Sequence, residues 1–91
     1  MVGKAEMWLM HKVKIMFFAT LRTRAERRSM ELELENELTV AGLKEILVTQ
    51  IPALEASLPS TLISINREYA FDEEIVPKGA EIALFPPVSG G

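Results

Sequence analysis

The sequence predicts a single α+β domain in which a mixed sheet of four to five strands packs on one main helix. Three observations carry this. Several short stretches alternate apolar and polar residues, the period of a half-buried strand. One segment instead places Val40, Leu43, Ile46 and Leu47 at the spacing of a helical stripe. The chain has 91 residues, 48% hydrophobic and 25% charged, which suffices for one core and excludes a cleft between two lobes.

Residues 1–12 mix Gly3, Lys4, Glu6 and His11 with Trp8 without a sustained period, and are read as an N-terminal extension whose Trp8 could tuck onto the domain. The domain itself is expected to span residues 13–85. From Val13 strict alternation sets Val13, Ile15, Phe17, Ala19 and Leu21 on one side and Lys14, Met16, Phe18, Thr20 and Arg22 on the other, which predicts a strand with a wholly apolar face. Thr23 to Ser29 is a polar connector, and Met30, Leu32 and Leu34 alternate with Glu31, Glu33 and Glu35 in a second strand. Thr39 is an N-cap for the helix, and Gly42 within it is tolerable if a close strand needs the space. Pro52 either ends that helix or opens a short second one through Leu54 and Leu58, closed by Pro59-Ser60. Leu62, Ile63 and Ile65 form a strand that turns at Asn66-Arg67 and returns through Glu68-Tyr69-Ala70. After an acidic loop, Asp72-Glu73-Glu74, and a turn at Pro77-Lys78-Gly79, the last strand runs from Glu81 to Phe85 with Ile82 and Leu84 on one face and Ala83 and Phe85 on the other. This order is that of the ubiquitin-like β-grasp fold, although order alone does not fix the pairing.

Composition narrows the function. Ten basic against 13 acidic residues give a net charge of −3, which argues against a partner recognised through a phosphate backbone, so no nucleic acid is expected. The absence of cysteine removes disulfides, thiolate nucleophiles and Cys-held metals. His11, the one imidazole, is read as a solvated tail residue. No stretch approaches the length of a membrane helix, so a cytoplasmic protein without membrane contact is expected. No carboxylate pair, Gly-rich phosphate loop or activated serine converges on a site; the Glu31-Glu33-Glu35 face and the Asp72-Glu73-Glu74 loop are read as solvated surface, with no metal and no bound cofactor.

The unusual feature is the ending, residues 86–91, where Pro86-Pro87 favours extended backbone and Val88-Ser89 leads to Gly90-Gly91. Two residues without side chains can pass a narrow channel and present a terminal carboxylate to another protein's buried site. The same two glycines also suit a frayed end.

The stretch from Glu81 through Phe85-Pro86-Pro87-Val88-Ser89-Gly90-Gly91 resembles the C-terminal signature of the MoaD-type sulfur carriers, small subunits of molybdopterin synthase in the ubiquitin-like ThiS superfamily. Lys14-Ile15-Met16-Phe17-Phe18-Ala19 resembles that family's first strand, Ile65-Asn66-Arg67-Glu68-Tyr69 its hairpin, and Pro77-Lys78-Gly79-Ala80-Glu81 its last turn, so the likeness spans Val13 to Gly91, with residues 23–60 matching in pattern only. The resemblance implies a carried substrate rather than a catalyst. A MoeB-type adenylyltransferase, consuming ATP with Mg, would attach AMP to the Gly91 carboxylate, and a persulfide donor would convert it to a thiocarboxylate. That sulfur would pass to cyclic pyranopterin monophosphate inside the MoaE-type large subunit, in an expected heterotetramer that supplies the catalytic side chains. The same ending would also serve a ubiquitin-like protein modifier or a thiamine-pathway sulfur carrier.

Phe18 and Phe85 both fall opposite the apolar register, so each needs a cover outside the helix-covered face. Neighbouring first and last strands would gather them beside Met16 and Ala83. The resemblance assigns partner contact to Phe18, Tyr69 and Phe85, while within the chain the Trp8 extension is the other possible cover. Seven of the ten basic residues lie at or before Arg28 and eleven of the 13 acidic ones after it. Arg22, Arg24, Arg27 and Arg28 either meet an acidic partner or form a solvated connector, and the acidic remainder could steer the tail toward a basic site.

Overall fold

The computed structural model of the chain describes residues 10–87. Its elements are β1 (Met10–Phe17), α1 (Thr20–Ala25), β2 (Ser29–Glu35), α2 (Val40–Gln50), single 3₁₀ turns at Pro52–Leu54 and Leu58–Ser60, β3 (Leu62–Ile65), β4 (Glu68–Ala70) and β5 (Glu81–Phe85). One sheet results, in the order β2-β1-β5-β3-β4. The pair β1/β5 is parallel and the other three are antiparallel. The mixed sheet with its helix is the ubiquitin-like β-grasp that the element order anticipated.

Val13, Ile15 and Phe17 of β1 are buried with Leu32 and Leu34 of β2, Ile82 and Leu84 of β5 and Ile63 and Ile65 of β3, and Val40, Leu43 and Leu47 of α2 close the core over them. Thr39 caps α2 as its type predicts, its Oγ1 accepting from the Gly42 amide at 3.2 Å. The space that Gly42 leaves is taken by a side chain and not by a strand: an added Cβ would stand 2.7 Å from Leu38 Cδ1. The Asn66-Arg67 turn has φ of 50° and 72°, both positive as a two-residue turn matched to strand twist requires.

The first strand differs from expectation at both ends. It begins at Met10, where Met10, His11 and Lys12 pair with Glu35, Leu34 and Glu33. His11 is therefore a half-buried strand residue and not part of a solvated tail, and its Nδ1 is buried without a partner among the described residues. The strand ends at Phe17 and does not reach Arg22, because Ala19 turns the chain at φ 52° and a helix follows. Leu21 is buried as anticipated, but by α1, while Ala19 is exposed. Leu21 and Ala25, four apart and both buried, are the helical stripe that alternation through Leu21 concealed. Glu26, at φ 57°, stops α1 in the left-handed conformation, so the connector to β2 shortens to Glu26-Arg27-Arg28. The expected packing of Trp8 lies outside the described residues.

Between β4 and β5 the chain folds onto the start of α2. The Val40 and Ala41 amides donate to the Glu74 and Asp72 carbonyls at 2.8 and 3.0 Å, and Ile75 bridges Thr39. These bonds satisfy first-turn amides that a helix cannot pair internally.

Candidate functional site: a sheet face at the root of the tail

The parallel pairing of β1 with β5 determines the site. It aligns Phe17 with Leu84, and the next step brings Phe18 beside Phe85, with the Phe18 amide donating to the Leu84 carbonyl at 3.1 Å. The two rings stack, centroids 4.7 Å apart and planes inclined by 10°. Stacked pairs of this kind stabilise by about 0.5–1.5 kcal/mol beyond the area they bury. Both rings lie on the sheet face away from α2 and are half-buried, although nothing in the described chain covers that face with a further layer.

A groove of about 570 Å³ opens beside them, lined by Met16, Phe18, Arg67, Tyr69, Ala83 and Phe85, with Ser64 and Glu81 at its floor and rim. Tyr69 stands 69% exposed from β4, so most of its ring is free to be covered. The structure thus brings together Phe18 and Phe85 with Met16 and Ala83, as alternation predicts, and adds Tyr69, the third residue to which the family resemblance assigns partner contact. Asn66 holds the hairpin end in place, its amide donating to the Glu81 carbonyl at 2.8 Å and its Oδ1 accepting from the Glu81 amide at 2.9 Å. Arg22, a connector or docking residue by sequence, takes a defined place in the fold: its Nε donates to the Phe17 carbonyl at 3.2 Å and its guanidinium lies 5.9 Å from the Phe18 ring centroid. Leu62, paired with Phe85 and 37% exposed, is a face residue that sequence reasoning misses; only the β3/β5 register reveals it, since the run Leu62-Ile63-Ser64-Ile65 does not alternate cleanly.

Pro86 and Pro87 follow β5 directly, so the tail is rooted beside the stacked phenylalanines. Val88, Ser89, Gly90 and Gly91 lie outside the described residues. Glu31, Glu33 and Glu35 are exposed on β2, and the register sets Lys14 opposite Glu31 and Lys12 opposite Glu33, an arrangement of opposite charges across a strand pair. No cluster of His, Cys, Asp or Glu suited to a metal occurs among the described residues, nor does any helix long and apolar enough to cross a membrane.

A five-stranded sheet with a parallel central pair and one main helix across it, with an aromatic face beside the end of β5, defines a ubiquitin-like β-grasp protein. The model of the ThiS family matches residues 15–91, and the chain belongs to that family as a sulfur carrier of the ThiS/MoaD type. It is similar to the molybdopterin synthase sulfur carrier subunit of Arabidopsis thaliana, with 30% identity over 88% of this chain and 83% of that protein. It is also similar to the crystal structure of the small archaeal modifier protein SAMP1 from Haloferax volcanii, with a TM-score of 0.78 and 32% identity over 88% of this chain and 99% of that one. A chain from the complex of subunits 1 and 2 of the molybdopterin-converting factor of Helicobacter pylori shares the fold, at a TM-score of 0.63 and 22% identity over 88% and 99% of the two chains.

Proposed function

We propose that this chain carries sulfur for molybdopterin synthesis on the carboxylate of Gly91. The observation that supports this most is the family match running through the final Gly-Gly, together with relatives near 30% identity that are named molybdopterin synthase sulfur carrier subunits. A carboxylate is ionised and unreactive at neutral pH, so exchange of its oxygen needs activation first. A carboxylate oxygen of Gly91 attacks the α-phosphorus of Mg-bound ATP on a MoeB-type adenylyltransferase, and pyrophosphate leaves. The terminal sulfur of a persulfide then attacks the acyl carbon, forming a C–S bond and expelling AMP, and a thiol cleaves the persulfide's S–S bond in the resulting acyl disulfide, leaving the thiocarboxylate and a disulfide. Within the large subunit that sulfur is transferred to cyclic pyranopterin monophosphate, in a heterotetramer.

Phe18, Tyr69 and Phe85 dock the carrier on that subunit while Pro86, Pro87, Val88, Ser89 and Gly90 thread Gly91 into the active site. The exposed aromatic face around the groove and its position at the tail's root support this assignment. Prolines at the root reduce the conformational entropy lost on threading. The two-subunit complex of the Helicobacter relative supports a large-subunit partner. A second reading, conjugation of Gly91 to lysines of other proteins, is favoured by the Haloferax relative named as a modifier.

Intact mass after incubation with adenylyltransferase, ATP-Mg and a persulfide donor tests the scheme. A gain equal to the difference between sulfur and oxygen, followed by dithiolene formation with the large subunit, is the expected result. Isopeptide-linked products would transfer the assignment to the modifier reading, and an unchanged mass would remove both.

A further inference from the structure

The docking face continues beyond the three residues assigned to it. Register carries Phe18 to Phe85, Phe85 to Leu62, and the β3/β4 pairing, in which Ile63 faces Ala70, carries Leu62 to Phe71 one step on. Phe18, Phe85, Leu62 and Phe71 thus form one apolar row across four neighbouring chain segments, at the end of the sheet where the tail departs. Phe71 is 71% exposed, and it lines with Leu62 and Tyr69 a second cleft, of about 490 Å³, on the β4 side. Tyr69 lines both clefts, so the two are neighbours, the second also bounded by Lys44, Asp72 and Glu73.

Phe71 is also held in place. Its amide donates to the Glu74 carboxylate and its carbonyl accepts from the Glu74 amide at 3.0 Å. The turn that carries it is tied to α2 by the Val40 and Ala41 amides and by the Lys44–Asp72 ion pair at 2.8 Å. A large aromatic side chain exposed on a fixed platform loses little freedom when covered, which is the condition for an interface anchor. Three strand spacings make the row about 14 Å long. A stable complex covers about 800 Å² on each partner, a footprint wide enough to take in the whole row and wider than the Phe18–Phe85 groove.

We propose that Phe71 and Leu62 belong to the same docking footprint as Phe18, Tyr69 and Phe85, with Phe71 anchoring the β4 edge in an apolar pocket of the protein that receives the tail. The inference rests on the proposed function for the identity of that protein, the synthase large subunit. The segment Leu62 to Phe71 then contributes to partner choice although it is remote in sequence from the Gly-Gly end.

The test measures binding of the full chain to the purified large subunit by calorimetry for the unaltered protein, Phe71→Ser, Phe71→Leu and Phe85→Ala, with thermal melts of each. Phe71→Ser is expected to bind roughly tenfold more weakly with an unchanged melt, and Phe71→Leu to recover most of the loss. Unchanged binding of Phe71→Ser beside weakened Phe85→Ala overturns the inference and leaves the proposed function standing. Unchanged binding of both overturns the docking face itself. Self-association of the unaltered chain that Phe71→Ser abolishes, with large-subunit affinity intact, assigns the β4 edge to contact between copies and overturns the proposal. If Phe71→Ser melts early, Phe71→Lys replaces it in the same calorimetry: weakened binding supports the footprint, and unchanged binding overturns it.

Discussion

At the scale of single residues, the most informative positions are those whose backbone is unusual for their type. Ala19 turns the chain out of β1 at φ 52° and ψ −128°, a sparsely populated region that costs a residue with a Cβ about 1–3 kcal/mol and costs glycine little. Ala19→Gly is therefore expected to raise the urea midpoint, corresponding to a gain of up to about 1 kcal/mol after the added freedom of the unfolded chain is counted. A lowered midpoint would show that the turn is not strained. Asn66 is the converse, a residue type suited to its positive φ and used twice, through amide and Oδ1, on Glu81. Asn66→Ala should lower stability by about 1–2 kcal/mol in the same titration. Neither role could be read from composition. Asn66-Arg67 was legible as a turn, but the clasp on Glu81 depends on a strand fifteen residues away.

Among the elements, legibility followed how local the determining physics was. The helix Val40–Gln50 was readable because its cap and its stripe lie within its own sequence, and β2, β4 and β5 because their alternation or turn chemistry is self-contained. The helix Thr20–Ala25 was not, since Leu21 continues the alternation of β1 and a six-residue segment is too short for a clear 3.6-residue period. What separates strand from helix there is the backbone reversal at Ala19, which no side-chain pattern encodes. The helix matters to the core: Leu21 is 1% exposed, and Leu21→Ala should cost about 2–5 kcal/mol by denaturant unfolding. A loss below about 1 kcal/mol would mean that α1 packs loosely against the core. The site shows the same division. Phe18 and Phe85 could be placed on one outward face from alternation, whereas Leu62 and Phe71 join that face only through pairing between strands distant in sequence.

For the whole molecule, the proposed function separates folding from transfer. Among the described residues the core is built from positions 13–84, so deleting Gly91, or adding a residue after it, is expected to abolish thiocarboxylate formation in the intact-mass assay while leaving the thermal midpoint unchanged. Turnover that survived such a change would place the acceptor elsewhere. Charge acts at the same scale. With a net charge of −3 and most acidic residues after Arg28, association with a basic tail-accepting site should slow as salt is raised, with a smaller change in dissociation. An association rate indifferent to salt would rule out steering by charge.

The tail grows directly from β5, the middle strand of five, bonded to β1 on one side and β3 on the other. Because β1 and β5 run parallel, the chain enters the first at the opposite end from where it leaves the second, so tension applied between Met10 and Pro87 loads the ladder between them in shear, all bonds at once. A pull on that end therefore strains the β1/β5 rungs together rather than unzipping them one by one.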